Sequence, residues 1–194
     1  MKLSLYFLTL FFLLVSCNQE KKENEKSPAK LTEEEAVFFP VTDFLKGQLI
    51  EIRERGLAPI FYQDKRGKLD SSWIKMDSLE VFVADFLSPS IDSFSMAEYY
   101  TLKKFYDQTL GRITLTYEAN KVLPKNNPWL SWNVYIDPEK GTVEKIYLVK
   151  SVSPNKKLLL NWSCKTQCSM TGIEEDEKTN TTNVFRKEII KWKY

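Results

Sequence analysis

The sequence predicts an α+β fold: a twisted antiparallel β-sheet of about five to seven hairpin-linked strands, with N-terminal helices packed on one of its faces. Three observations carry that expectation. Apolar residues recur at helical spacing in the first half of the chain, they alternate with period two in the second half, and clusters of turn residues punctuate the alternating part.

The elements follow in order. Thr32-Glu33-Glu34-Glu35 has capping-box spacing, in which the Thr32 hydroxyl accepts from an amide of the first turn while Glu35 reaches back. Pro40 stops the helix it opens. A second helix starts near Thr42-Asp43, because Val41, Phe44, Leu45, Leu49 and Ile52 fall on one face and Gly56 stands where it can end. Residues 58–63 read as a strand, turned at Lys65-Arg66-Gly67-Lys68 into a second strand over 69–75. A third helix follows Asp77-Ser78, with Leu79, Phe82, Val83, Phe86 and Leu87 at helical spacing and Ser88-Pro89 breaking it. Ser95-Met96-Ala97-Glu98 repeats the capping-box spacing and predicts a helix toward Lys104.

From there the period is two. Ile113, Leu115 and Tyr117 alternate with polar residues, as do Trp132, Val134 and Ile136. Asp137-Pro138-Glu139-Lys140-Gly141 is turn chemistry, with proline preset in φ and glycine free to go positive. Residues 142–150 return as a long strand, Ser153-Pro154-Asn155 turns it, and 157–164 and 168–173 form the next hairpin. A charged loop over 174–182 leads to a last strand over 184–194. The side chains of Trp132, Val134 and Ile136 are expected to lie under Phe82, Val83 and Phe86.

The chain opens Met1-Lys2 and continues with an apolar run ending Leu14-Val15-Ser16-Cys17. One basic residue before a short apolar core is the layout of a secretory signal, and the run is shorter than the roughly 20 residues a spanning helix needs. Leu14-Val15-Ser16-Cys17 resembles the lipobox of bacterial lipoproteins. That resemblance covers the leader alone. It implies cleavage after residue 16, diacylglycerol on the Cys17 thiol, and a membrane partner through that lipid. Asn18 after the cysteine, where aspartate favours inner-membrane retention in that family, implies the outer membrane. Residues 17–31 then read as the lipidated cysteine and a charged tether without hydrophobic periodicity, and 32–194 as a single globular domain.

Composition narrows the function. The formal net charge is +2 with acids and bases interspersed, so no basic stripe is present and nucleic acid is not an expected partner. The chain has no histidine, which removes the commonest general base and the commonest metal ligand. With Cys17 lipidated, only Cys164 and Cys168 remain. Their spacing is neither the C-x-x-C of redox sites nor part of a zinc set, so no metal and no cofactor is expected. In an oxidising envelope the pair predicts a disulfide at the base of a hairpin.

Candidate chemistry is sparse, and no catalytic residue is assigned. Ser72 and Lys75 have the S-x-x-K spacing of serine acyl enzymes, yet Ser27/Lys30 and Ser153/Lys156 match equally well. Carboxylate pairs support glycoside hydrolysis without histidine, and Asp85 and Asp107 stand near aromatic residues. Aromatic residues make up 13% of the chain, and most read as core. Trp129, Trp132, Tyr135 and Tyr147 are candidates instead for an exposed sheet face suited to a glycan or protein partner. The resulting expectation is a non-enzymatic binding or assembly module on a lipid anchor. The alternative is a carboxylate-based hydrolase acting on envelope or extracellular polysaccharide.

Overall fold

Nine strands form one antiparallel sheet, more than the five to seven expected, and the helices beside it are short. The computed structural model describes residues 38–65, 67–91 and 96–192, which belong to the second of the chain's two units, Ala36–Tyr194. The leader, the tether and the helix expected to open at Thr32 lie outside the described residues.

Helix α1 (Val41–Glu54) runs as its apolar spacing dictates, burying Val41, Leu45 and Ile52. Gly56, at φ 64°, takes the left-handed conformation that closes it. Strands β1 (Ile60–Lys65) and β2 (Lys68–Trp73) form the first hairpin. The helix expected over 79–87 is two single turns, α2 (Leu79–Phe82) and α3 (Ala84–Leu87), broken at Val83 with φ −104° and ψ 13°. Val81 and Val83 are β-branched and stiff at χ1, which weakens a continuous helix there.

The expected helix toward Lys104 is not formed. Ala97–Tyr99 makes one 3₁₀ turn, and β3 (Tyr100–Asp107) is a strand paired residue for residue with β4 (Arg112–Ala119). The remainder is a meander: β5 (Trp129–Asp137), β6 (Thr142–Ser153), β7 (Lys156–Ser163), β8 (Gln167–Asp176) and β9 (Thr181–Lys191). The expected charged loop over 174–182 is shorter than its composition implied, since Glu174 to Asp176 pair with Asn183 to Thr181. Sheet order is β2-β1-β9-β8-β7-β6-β5-β4-β3, so the first hairpin docks on the last strand.

Register assembles the core in rows. Leu115, Val134, Ile146, Trp162, Cys168, Ile190 and Phe61 stand opposite one another in succession across β4 to β9 and β1. The adjacent row on this inner face is Tyr117, Trp132, Leu148, Leu160 and Met170, continuing into Glu188 and Gln63. The helical residues Val41, Leu45, Ile52, Leu79, Val83 and Phe86 join these rows in a single buried cluster. As expected, Trp132, Val134 and Ile136 face it, but the helical turns meet other strands. Phe86 contacts Trp162 edge-on at 5.4 Å and Phe82 contacts Phe61 at 5.1 Å, whereas Trp132 is enclosed by Phe38, Tyr100 and Tyr117. Among the described residues, no helix is long and apolar enough to cross a membrane.

Candidate functional site

The four aromatic candidates separate onto opposite faces of the sheet. Trp129 and Trp132 are fully buried and belong to the core, so neither lines an exposed face. Trp132 stacks on Tyr117 with centroids 5.0 Å apart and planes 16° from parallel. Trp129 reaches the inner face through a bulge between Trp129 and Ser131, donates its indole N–H to the Pro89 carbonyl at 2.9 Å, and lies 5.3 Å below the Lys150 ammonium. Tyr100 donates its hydroxyl to the Trp129 carbonyl at 2.6 Å, and burial pushes its pKa up to about 12.

Tyr135 and Tyr147 are half-buried on the outer face, opposite the helices. Two rows run across the strands there. One is Thr114, Tyr135, Lys145, Ser163, Gln167, Lys191 and Ile60; its neighbour is Thr116, Asn133, Tyr147, Asn161, Ser169, Ile189 and Tyr62. None of the residues in these two rows belongs to the core cluster or packs against it. Lys145 sits over the Tyr135 ring at 5.5 Å and Lys191 over Tyr62 at 5.2 Å. The Asn133 and Asn161 Oδ1 atoms, on either side of Tyr147, are buried and accept no hydrogen bond among the described residues. Burial pushes the Tyr147 phenol above its ordinary pKa, and the neighbouring Tyr135 adds to the shift.

A second polar group, which the sequence reading missed, interrupts the inner face. Arg186 donates to Asp85 Oδ2 at 2.6 Å and to Glu188 Oε2 at 2.7 Å, and Gln63 donates to the other Glu188 oxygen at 3.1 Å. Lys150 donates to the Ser88 carbonyl at 2.7 Å and approaches Asp85 Oδ1 at 3.4 Å. Burial alone would raise the Asp85 pKa, but the Arg186 hydrogen bond and the Lys150 and Arg186 charges outweigh it and hold the carboxyl below its usual value. The signal was in the chain: Arg186 and Glu188 occupy the same alternation phase as Ile190 and Trp192, and Lys150 that of Ile146 and Leu148. A charge in an apolar phase marks a buried pair. This cluster clamps α3 to the sheet.

Its carboxylates do not form an acid–base pair. Asp85 and Glu188 share one guanidinium, and among the described residues the carboxyl groups with displaced pKa values, Asp85, Asp137 and Asp176, are all displaced downward. Glycoside hydrolysis needs one carboxyl held protonated. Asp107, the other candidate near aromatics, accepts from the Thr109 and Leu110 amides in its turn. Among the described residues, no cluster of three or more potential ligands is arranged for a metal.

The expected disulfide is absent: Cys164 and Cys168 are not bonded to each other. Across the β7–β8 ladder the residue opposite Cys168 is Trp162, while Cys164 falls in the turn beyond Ser163. Both side chains are buried, and burial pushes the Cys164 thiol up to about 12 and the Cys168 thiol higher still. The thiolate is the reactive form. Both are therefore expected to resist iodoacetamide in the folded protein and to react together in urea without reductant. A mass unchanged until reductant is added would restore the disulfide.

Two clefts lie at the surface of the described residues. One, of 550 Å³, is lined by the acidic run Glu174 to Glu177 with Asn155, Lys178 and Asn183. The other, of 430 Å³, lies between Pro89, Met96, Tyr99 and Asn127. No protein-family model matches the chain, and neither a curated protein nor a solved structure matches it significantly.

Proposed function

We propose that the chain is a lipoprotein of the bacterial envelope, anchored at the outer membrane through Cys17, whose sheet domain is a non-enzymatic binding or assembly module. The observation that carries the binding half is the outer sheet face: its two central rows hold half-buried tyrosines and two lysines, and among the described residues none of them packs against the core cluster. The anchor half rests on the lipobox-like Leu14-Val15-Ser16-Cys17 after a short apolar run. A permanent anchor agrees with a stationary binding role, since multiple acyl chains on one residue hold a protein on the bilayer. The downward-displaced carboxyl groups weigh against the alternative of a carboxylate hydrolase.

Cell fractionation with intact-mass measurement tests the anchor. The wild-type chain is expected in the outer-membrane fraction carrying lipid mass, and Cys17→Ala is expected to lose both. An unchanged mass and location would overturn the anchor. Crosslinking in the native membrane tests binding, with a macromolecular partner expected on peptides of β5 to β9. Release of sugars from envelope polysaccharide by the purified chain would overturn the non-enzymatic reading.

A further inference from the structure

We infer that the outer face of the sheet is a site for an acidic polysaccharide, laid across β5 to β9 along the row Tyr135, Lys145, Ser163, Gln167 and Lys191. This deepens, and rests on, the reading of the domain as a binding module.

Charge selects the class. Most acids bordering the two rows are committed to cations, Glu118 to Lys103, Asp137 to Lys140, Glu144 to Arg112 and Glu175 to Lys157, while Asp64 beyond Tyr62 accepts from the Gly67 amide in its turn. Lys145 and Lys191 form no ion pair among the described residues and rest instead over tyrosine rings. The face therefore presents two uncompensated cations whose backbones are three strand positions apart in one row, roughly 14 Å at the usual strand spacing, with the ammonium groups leaning outward over Tyr135 and Tyr62. An extended polymer bearing repeated carboxylates spans such a distance and meets both.

The residues between the cations select a sugar over a peptide or a lipid surface. Ser163 and Gln167 lie between them, and the neighbouring row adds Asn133, Tyr147 and Asn161. Hydroxyls and amides match the hydroxyl-rich edge of a sugar ring, and tyrosine faces match its C–H surface. The exposed aromatics Trp73 and Phe105 continue the row of Lys145 and Lys191, opposite Ile60 and Thr114, but they stand at the two opposite edges of the sheet and so form no contiguous apolar patch for a membrane. A strand adding to the sheet by main-chain pairing would use an edge, whereas this site is on β5 to β9, in the sheet's interior.

Titration calorimetry of the purified full chain tests the inference, with polygalacturonate as probe and dextran and polyglutamate as comparisons. Polygalacturonate is expected to bind more tightly than either comparison and to weaken with salt. Lys145→Gln/Lys191→Gln is expected to weaken it about tenfold, as two exposed ion pairs lost together, and Tyr135→Ala/Tyr147→Ala by a similar factor. Urea midpoints near wild type would show that these variants keep their fold. Equal binding of polyglutamate, binding indifferent to both double substitutions, or no binding of polygalacturonate would each overturn the glycan assignment. A protein partner crosslinked to β5–β9 alongside such a failure would leave the binding-module reading standing, so the two fail separately.

Discussion

Trp132→Ala is expected to lower the unfolding free energy by about 3–5 kcal/mol, the usual cost of truncating a buried aromatic to alanine. The value belongs at the upper end of that range. Trp132 has no exposed surface, and three rings bear on it: Tyr117 nearly parallel at 5.0 Å, Tyr100 at 4.4 Å and Phe38 at 5.6 Å, with Phe38 also on Tyr117 at 5.0 Å. Alanine leaves a void that those rings refill only by abandoning their tilts. A domain of this size has about 5–15 kcal/mol in all, so the variant sits near the limit of folding. Urea unfolding followed by far-UV circular dichroism measures it. A midpoint close to wild type would return Trp132 to the surface role that its composition first allowed.

Arg186→Leu is expected to cost about 2–3 kcal/mol at neutral pH, somewhat below the figure for a fully buried pair because the guanidinium keeps some water contact. Two carboxylates, Asp85 and Glu188, lose their shared partner, and Lys150 alone remains beside Asp85. The pH dependence identifies the cause. The folded pKa of Asp85 is depressed in the wild type, so its contribution is complete above the ordinary carboxylate range and is lost as pH falls through the folded value. Without Arg186, burial acts on that carboxyl with less opposition and favours its protonated form. The gap between variant and wild type should therefore be widest at neutral pH and narrow below about pH 4. A gap independent of pH would mean that Arg186 contributes packing alone.

Much of this fold was legible because one sheet face is buried. Alternation located β4 to β8, and Asp137-Pro138-Glu139-Lys140-Gly141 turned where its chemistry required, with Gly141 at φ 63°. Strand β3 escaped because it is an edge. Apart from Tyr100, its side chains are exposed or only partly buried, so Leu102, Lys104 and Tyr106 show no clean alternation against their neighbours, and the spacing of Ser95 and Glu98 imitated a helix start. Trp129 illustrates a different limit. Strict alternation puts it on the side of Ser131 and Asn133, and only the bulge after it turns the indole to the core. Tyr135 and Tyr147 were legible as out of phase with the apolar set. The cross-strand neighbours that give them meaning, Lys145 and Asn161, depend on register, which one sequence leaves open.

The docking of the first hairpin on the last strand has a kinetic consequence. From β3 to β9 each strand pairs with its predecessor, so this part can zip in the order of synthesis, with short loops to close. The seam between Ile60–Gln63 and Glu188–Lys191 joins the two ends of the domain. As the chain emerges N-terminus first, β1 and β2 must wait, paired only with each other, until β9 has emerged. Until then β8 is itself an open edge, with Met170 and Cys168 lacking the strand that flanks them in the finished sheet. The seam is thus the step that turns a growing ribbon into a closed core, and its strands are where a nascent chain is most open to wrong partners.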